Sequence, residues 1–126
     1  KETMLQLVLV AAGGAIGALS RYAFDRIALV AFGSAVPGTL FVNASGSFIL
    51  GLFTGYLVQN PEVPTHWKLF FAVGLLGSYT TFSTFSVATL NLINAGDIPR
   101  AIANILLNVG LGLLLAALGF VLGKLL

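Results

Sequence analysis

The chain has 126 residues, of which 58% are hydrophobic and only 8% charged, with a formal net charge of +2. Soluble domains carry about 25% charged residues, so this composition excludes a water-facing globular surface and implies an integral membrane protein. A charge so small and so scattered gives no footing for nucleic acid, and the lack of cysteine excludes disulfides and thiolate metal sites.

A bilayer core needs roughly 20 apolar residues per helix, and four uncharged stretches meet that length. They lie between Glu2 and Arg21, between Arg26 and Glu62 (effectively starting after Pro37-Gly38), between Lys68 and Asp97, and between Arg100 and Lys124. The expected helices cover about residues 3–31, 38–59, 66–94 and 98–125, in one membrane domain spanning 1–126. The first stretch reads as a span rather than a leader. It is Gly-rich and runs into Arg21, Asp25 and Arg26 without an isolated small-residue cleavage site. Gly13 and Gly17 place two small residues on one face of this helix, which favours close helix approach.

Pro37 and Gly38 open the second helix, where Gly51 and Gly55 repeat the small-residue pair and Asn43 and Ser47 share another face. The two-proline loop at residues 59–66 ends in His66, Trp67 and Lys68, a trio suited to the membrane interface. The third helix then carries the least lipid-like segment of the chain. Six of the nine residues from Ser78 to Ser86 bear a Ser or Thr hydroxyl, and the other three are Tyr79, Phe82 and Phe85. Gly74 and Gly77 precede the run, and hydroxyl side chains compete for backbone hydrogen bonds, so a helix break is expected here. Such a break is tolerated at membrane depth only inside protein or beside a cavity. Asp97 and Pro99 start the fourth helix, in which Asn104 and Asn108 stand four apart and Gly119 and Gly123 make the last small-residue pair.

The charges balance across the membrane. With four spans, Lys1, Lys68 and Lys124 fall on one side and Arg21, Arg26 and Arg100 on the other. Lys/Arg asymmetry sets orientation, and three against three sets none. The chain is therefore expected to insert both ways and to pair with an inverted copy of itself.

No Asp, Glu, Lys, Arg or His sits at the centre of a span. This argues against a proton-coupled transporter and against a carboxylate-lined cation pathway. Amides and hydroxyls remain, and their N–H and O–H groups can replace part of an anion's hydration shell without binding it too tightly to leave. Phe82 and Phe85, three apart on one helix side, add positive ring edges. Arg21 and Arg26, with Asp25 as the i+4 ion-pair partner of Arg21, serve either topology and anchoring or the attraction of anions to a mouth. No nucleophile–base pair lies within the spans, so an enzyme is not expected.

Three stretches, "GGAIGALSRY" (13–22), "PGTLFVNASGSFILG" (37–51) and "GSYTTFSTFS" (77–86), resemble the signatures of the CrcB/Fluc family of fluoride channels, and the likeness extends over all four helices. The resemblance implies an all-α antiparallel, dual-topology homodimer with a broken third helix and two fluoride pores. By the same resemblance, Asn43, Phe82 and Phe85 line the pore. Thr81, Ser83 and Thr84 together with a polar face of helix 4, here Asn104 and Asn108, complete the ion track, and Arg21 lies at the pore entrance. The backbone carbonyls of Gly77 and Thr80 would hold a structural Na+ on the dimer axis. Where relatives often have Gly-Gly, this chain has Gly77-Ser78; where some use Tyr and Ser on helix 4, it has Asn104 and Asn108. The implied activity is passive fluoride export through the cell (inner) membrane, relieving toxicity after fluoride enters as neutral HF. The alternatives are a small dual-topology multidrug exporter, which should carry a membrane-embedded Glu, and a noncatalytic assembly subunit whose polar residues only join helices.

Overall fold

The computed structural model describes all 126 residues, Lys1–Leu126. Every regular element is helical, and four helices are long and apolar enough to cross a membrane: α1 (Glu2–Phe32), α2 (Val36–Gln59), α3 (Thr65–Asn94) and α4 (Ile98–Gly123). The chain is a multi-pass membrane protein. α1 has 31 residues, about 46 Å at the α-helical rise, against a hydrocarbon core of about 30 Å. It must therefore tilt or protrude, which brings Asp25 and Arg26 towards one interface.

Short, chemically defined turns join the spans. Gly33 adopts φ 72° and donates its N–H to Leu29 O, closing α1 in the left-handed conformation that glycine takes without penalty. Pro37 sits in the first turn of α2, where its missing N–H costs nothing. Asn60 ends α2 by donating both its backbone N–H and its Nδ2 to Tyr56 O, at 3.0 and 2.9 Å. The Asp97 carboxylate accepts the Arg100 N–H at 3.3 Å to cap α4.

Two spans depart from uniform α-helix. α3 is π-helical over Leu69–Leu76, has a short α-turn at Gly77–Tyr79, and resumes as an α-helix at Phe82–Asn94. Between the last two pieces, Thr80 (φ −89°, ψ 155°) and Thr81 (φ −150°, ψ 119°) are extended. α4 is π-helical over Leu107–Leu111, around Asn108.

In lipid, apolar side chains gain little by meeting one another, so helix association relies on close van der Waals packing and interhelical hydrogen bonds. The glycines provide the first. Gly13, Gly17 and Gly74 bring α1 against the first half of α3, with the Gly17 Cα facing the Leu75 backbone. α2 and α4 interlock reciprocally: Gly51 and Gly55 face the backbones of Ala116 and Phe120, while Gly119 and Gly123 face those of Phe48 and Leu52. Large apolar side chains such as Val30, Leu113 and Leu114 point outward. The compact apolar centre is small: Val42, Leu76 and Tyr79, beside the extended pair. The Tyr79 hydroxyl meets Ser45 Oγ at 2.9 Å, and its ring lies edge-on to Phe24.

These contacts predict a contrast between two glycines of α4. A methyl at Gly119 would strike the Phe48 carbonyl, whereas one at Gly110 meets nothing. Gly119→Ala should destabilise by about 2 kcal/mol through overpacking. Gly110→Ala should be neutral or stabilising by up to about 1 kcal/mol through helix propensity. Thermal unfolding of both variants in detergent checks the order.

Candidate functional site

The extended pair in α3 exposes backbone groups that a continuous helix would pair internally, and α2 supplies their partner. Asn43 Oδ1 accepts the Thr81 N–H at 2.8 Å, and Asn43 Nδ2 donates to the Thr81 carbonyl at 3.1 Å. The amide thus pairs with Thr81 as a neighbouring strand would. Thr81 in turn caps the second half of α3, its Oγ1 accepting the Thr84 N–H at 3.2 Å.

Because a backbone N–H only donates and a backbone carbonyl only accepts, Thr81 fixes which end of the Asn43 amide is oxygen. The assignment propagates. Asn43 Nδ2 also donates to Asn108 Oδ1 at 2.9 Å, which turns Asn108 Nδ2 towards Asn104, where it donates to the carbonyl at 2.9 Å and to Oδ1 at 3.0 Å. Asn104 Nδ2 then donates to Thr89 Oγ1 at 3.0 Å, and Thr89 donates to Phe85 O at 2.9 Å. One hydrogen-bond chain of a single sense therefore runs from Thr81 on α3 through α2 and α4 and back to α3. Asn104 and Thr89 are buried at 6% and 7% exposure, where an unpartnered amide or hydroxyl would cost most.

A cavity of about 220 Å³ opens beside the first links of this chain. Asn43, Thr80, Thr81, Phe82, Phe85 and Asn108 are among its walls. The Phe82 and Phe85 rings meet at 5.6 Å between centroids with an interplanar angle of 64°. Phe85 is 7% exposed and Phe82 78%, so one ring is fixed in the bundle and the other is open to whatever lies outside it. The walls carry no charged group; their chemistry is neutral dipoles and ring edges.

The sequence-expected residues do not all converge there. Asn104 lies one turn before Asn108, outside the cavity wall. Ser83 and Thr84 face a separate groove with Val87, Ala88 and Asn91, although Thr81 Oγ1 reaches both, at 3.4 and 3.2 Å. Arg21 is not a wall of the cavity: its Nε donates to the Ser78 carbonyl at 3.0 Å, just before the extended pair. The expected Arg21–Asp25 ion pair is not formed, and Asp25 Oδ1 is buried without a hydrogen-bond partner. The carbonyl at Ser78 competes successfully for the guanidinium because α3 brings it against α1 at the small residues Gly14 and Gly17.

A second difference concerns the amides. Their N–H groups are expected to stand in for an anion's hydration shell, but the amide nitrogens of Asn108 and Asn43 each donate twice within the protein. Thr89 was missed as a member of this chain. Its signal was present in the spacing, since it follows Phe85 by four and so shares its face.

The backbone around the extended pair has two carbonyls of interest. The Thr81 N–H is taken by Asn43, so Gly77 O lacks its usual partner four residues on; Thr80 O accepts no backbone N–H at all. Neither receives a side-chain donor, whereas Ser78 O and Thr81 O do.

Comparison with known proteins gives this arrangement its context. Residues 8–120 match the family described as CrcB-like protein, Camphor Resistance (CrcB). A relative from Magnetococcus marinus is 47% identical over 122 residues, covering 96% of this chain and 99% of its own. One from Shewanella amazonensis is 45% identical over 117 residues, covering 92% and 94%. One from Dehalococcoides mccartyi is 44% identical over 124 residues, covering 98% and 95%. Each of the three is called a fluoride-specific ion channel, FluC. With likeness of this strength over nearly its whole length, the chain belongs to the CrcB/FluC family.

Proposed function

We propose that this chain forms an antiparallel, dual-topology homodimer that conducts fluoride passively through two pores in the cell (inner) membrane and so relieves fluoride toxicity. The observation that carries this reading is the uncharged cavity at Phe82 and Phe85, bounded by amide and hydroxyl dipoles, in a chain whose relatives are called fluoride-specific channels. A small anion in such a cavity meets neutral dipoles and ring edges, and no charged side chain that would retain it.

The same reading gives each residue a role. Asn43, Thr81 and Asn108 hold the cavity wall, Phe82 and Phe85 present ring edges, Asn104 extends the polar face by one turn, and Ser83 and Thr84 line the adjoining groove. Arg21 stands beside the interruption of α3 and draws anions towards it. The exposed ring of Phe82 and the balanced Lys/Arg count support a second, inverted copy as the missing wall.

The interruption of α3 reads as a break that holds a cation. The carbonyls of Gly77 and Thr80 lack the hydrogen bonds a helix would give them, and hard, neutral oxygens suit Na+. These residues would hold the ion, with the same pair from the inverted copy. Bound there, Na+ would supply positive charge beside the interruption of α3.

Two experiments test the proposal. Fluoride-loaded liposomes holding the purified dimer should release fluoride rapidly only when valinomycin shunts the charge with K+, and chloride-loaded liposomes should release nothing. No fluoride release from verified dimers defeats the channel reading. Phe82→Ile is the informative variant, because the Phe82 side chain makes no hydrogen bond and its replacement leaves the amide chain intact. It should lower fluoride flux at least tenfold with an unchanged dimer, and wild-type flux in this variant would remove Phe82 from the pore. For the cation, dialysis of the dimer from Na+ into N-methylglucamine should lower its thermal stability by several degrees, reversibly on returning Na+.

A further inference from the structure

The donor inventory of the cavity leaves one group over. Both amide protons of Asn43 and both of Asn108 are engaged. Thr80 Oγ1 donates to Leu76 O at 3.0 Å, and Thr81 Oγ1 donates to Thr84 Oγ1 at 3.2 Å. The remaining hydroxyl among the walls is Ser47, one turn beyond Asn43 on α2, and its Oγ makes no hydrogen bond within the protein.

Two other hydroxyls of the helix are satisfied locally. Ser45 and Thr54, also on α2, turn back onto the carbonyls four residues earlier, Phe41 O at 2.6 Å and Leu50 O at 2.7 Å. That is the ordinary way for a hydroxyl to satisfy itself in an apolar setting. Ser47 does not take it and lies open to the cavity. The facing position on α4 is Gly112, where a side-chain carbon would come to 3.6 Å from Ser47 Oγ. A residue without a side chain there keeps the approach to the hydroxyl clear.

Resting on the channel reading above, we propose that Ser47 donates its hydroxyl proton directly to the anion in this cavity, while Asn43 and Asn108 act as positioning residues that hold the walls. The division of labour suits fluoride. A hydroxyl proton can swing to follow a passing ion, and an O–H donating to an anion makes a short, strong hydrogen bond. The amides, held by their neighbours, keep the cavity's shape as the ion leaves.

The test is fluoride efflux from liposomes, measured against internal fluoride concentration, for the wild-type dimer and for Ser47→Ala, Ser47→Cys and Ser47→Thr. Elution volume and thermal stability are followed for each. Loss of the donor should raise the half-saturating fluoride concentration and lower flux at least tenfold in Ser47→Ala. Ser47→Cys, nearly the same size but a weak donor, should behave alike. Ser47→Thr, which keeps the hydroxyl, should stay within about threefold of wild type. Wild-type saturation in Ser47→Ala overturns the proposal, as does equal loss in the Ala and Thr variants, which would make shape rather than the donor responsible. If Ser47→Ala does not fold, Ser47→Cys decides alone, and wild-type flux in it defeats the proposal. A wild-type dimer that releases no fluoride fails the channel reading itself, a result distinct from any of these.

Discussion

Everything at the centre of this protein depends on the side chain of Asn43 pairing with the backbone of Thr81. A chain that leaves helical geometry inside a membrane must find partners for its N–H and C=O groups, because lipid offers none. Here one amide satisfies both groups of the same residue. The second amide proton of Asn43 then couples the extended segment to α4, so three helices are set in register by one residue. The interruption, the carbonyls it leaves open and the cavity beside it all follow from that pairing.

The glycines make the pairing geometrically possible. α2 and α4 approach through Gly51, Gly55, Gly119 and Gly123, close enough for Asn43 and Asn108 to meet at hydrogen-bond distance. α1 presses on the first half of α3 through Gly13 and Gly17, and Arg21 closes the same contact on the Ser78 carbonyl. Backbone proximity and polar coupling are thus two aspects of one packing solution. Neither would hold in a bundle of large side chains, where amides could not reach across.

Much of this was legible in the amino-acid order. The positions of Glu2, Arg21, Arg26, Glu62, Lys68, Asp97, Arg100 and Lys124 delimit four apolar spans, because charge is expelled from hydrocarbon. The four-residue spacing of Asn104 and Asn108 put two amides on one face, and the small-residue pairs marked the close contacts. Which way each amide points was not legible. That is decided by the backbone of Thr81, which lies 38 residues from Asn43, and is then passed along from helix to helix. The Arg21–Asp25 pair failed for a related reason: local spacing offered a carboxylate, and a neighbouring helix offered a carbonyl in better position. The π-helical registers of Leu69–Leu76 and Leu107–Leu111 left no local sign either, since they adjust the helices to contacts made elsewhere.

The chain of bonds from Thr81 to Thr89 is built entirely from amides, hydroxyls and backbone groups. None of these gains or loses a proton across the range of pH a cell meets. A framework of buried carboxylates or histidines would rearrange as the medium acidified, since each would have to charge or discharge. This one keeps the same donors and acceptors throughout, so the cavity retains its form in acid, where uncharged hydrogen fluoride crosses membranes most readily.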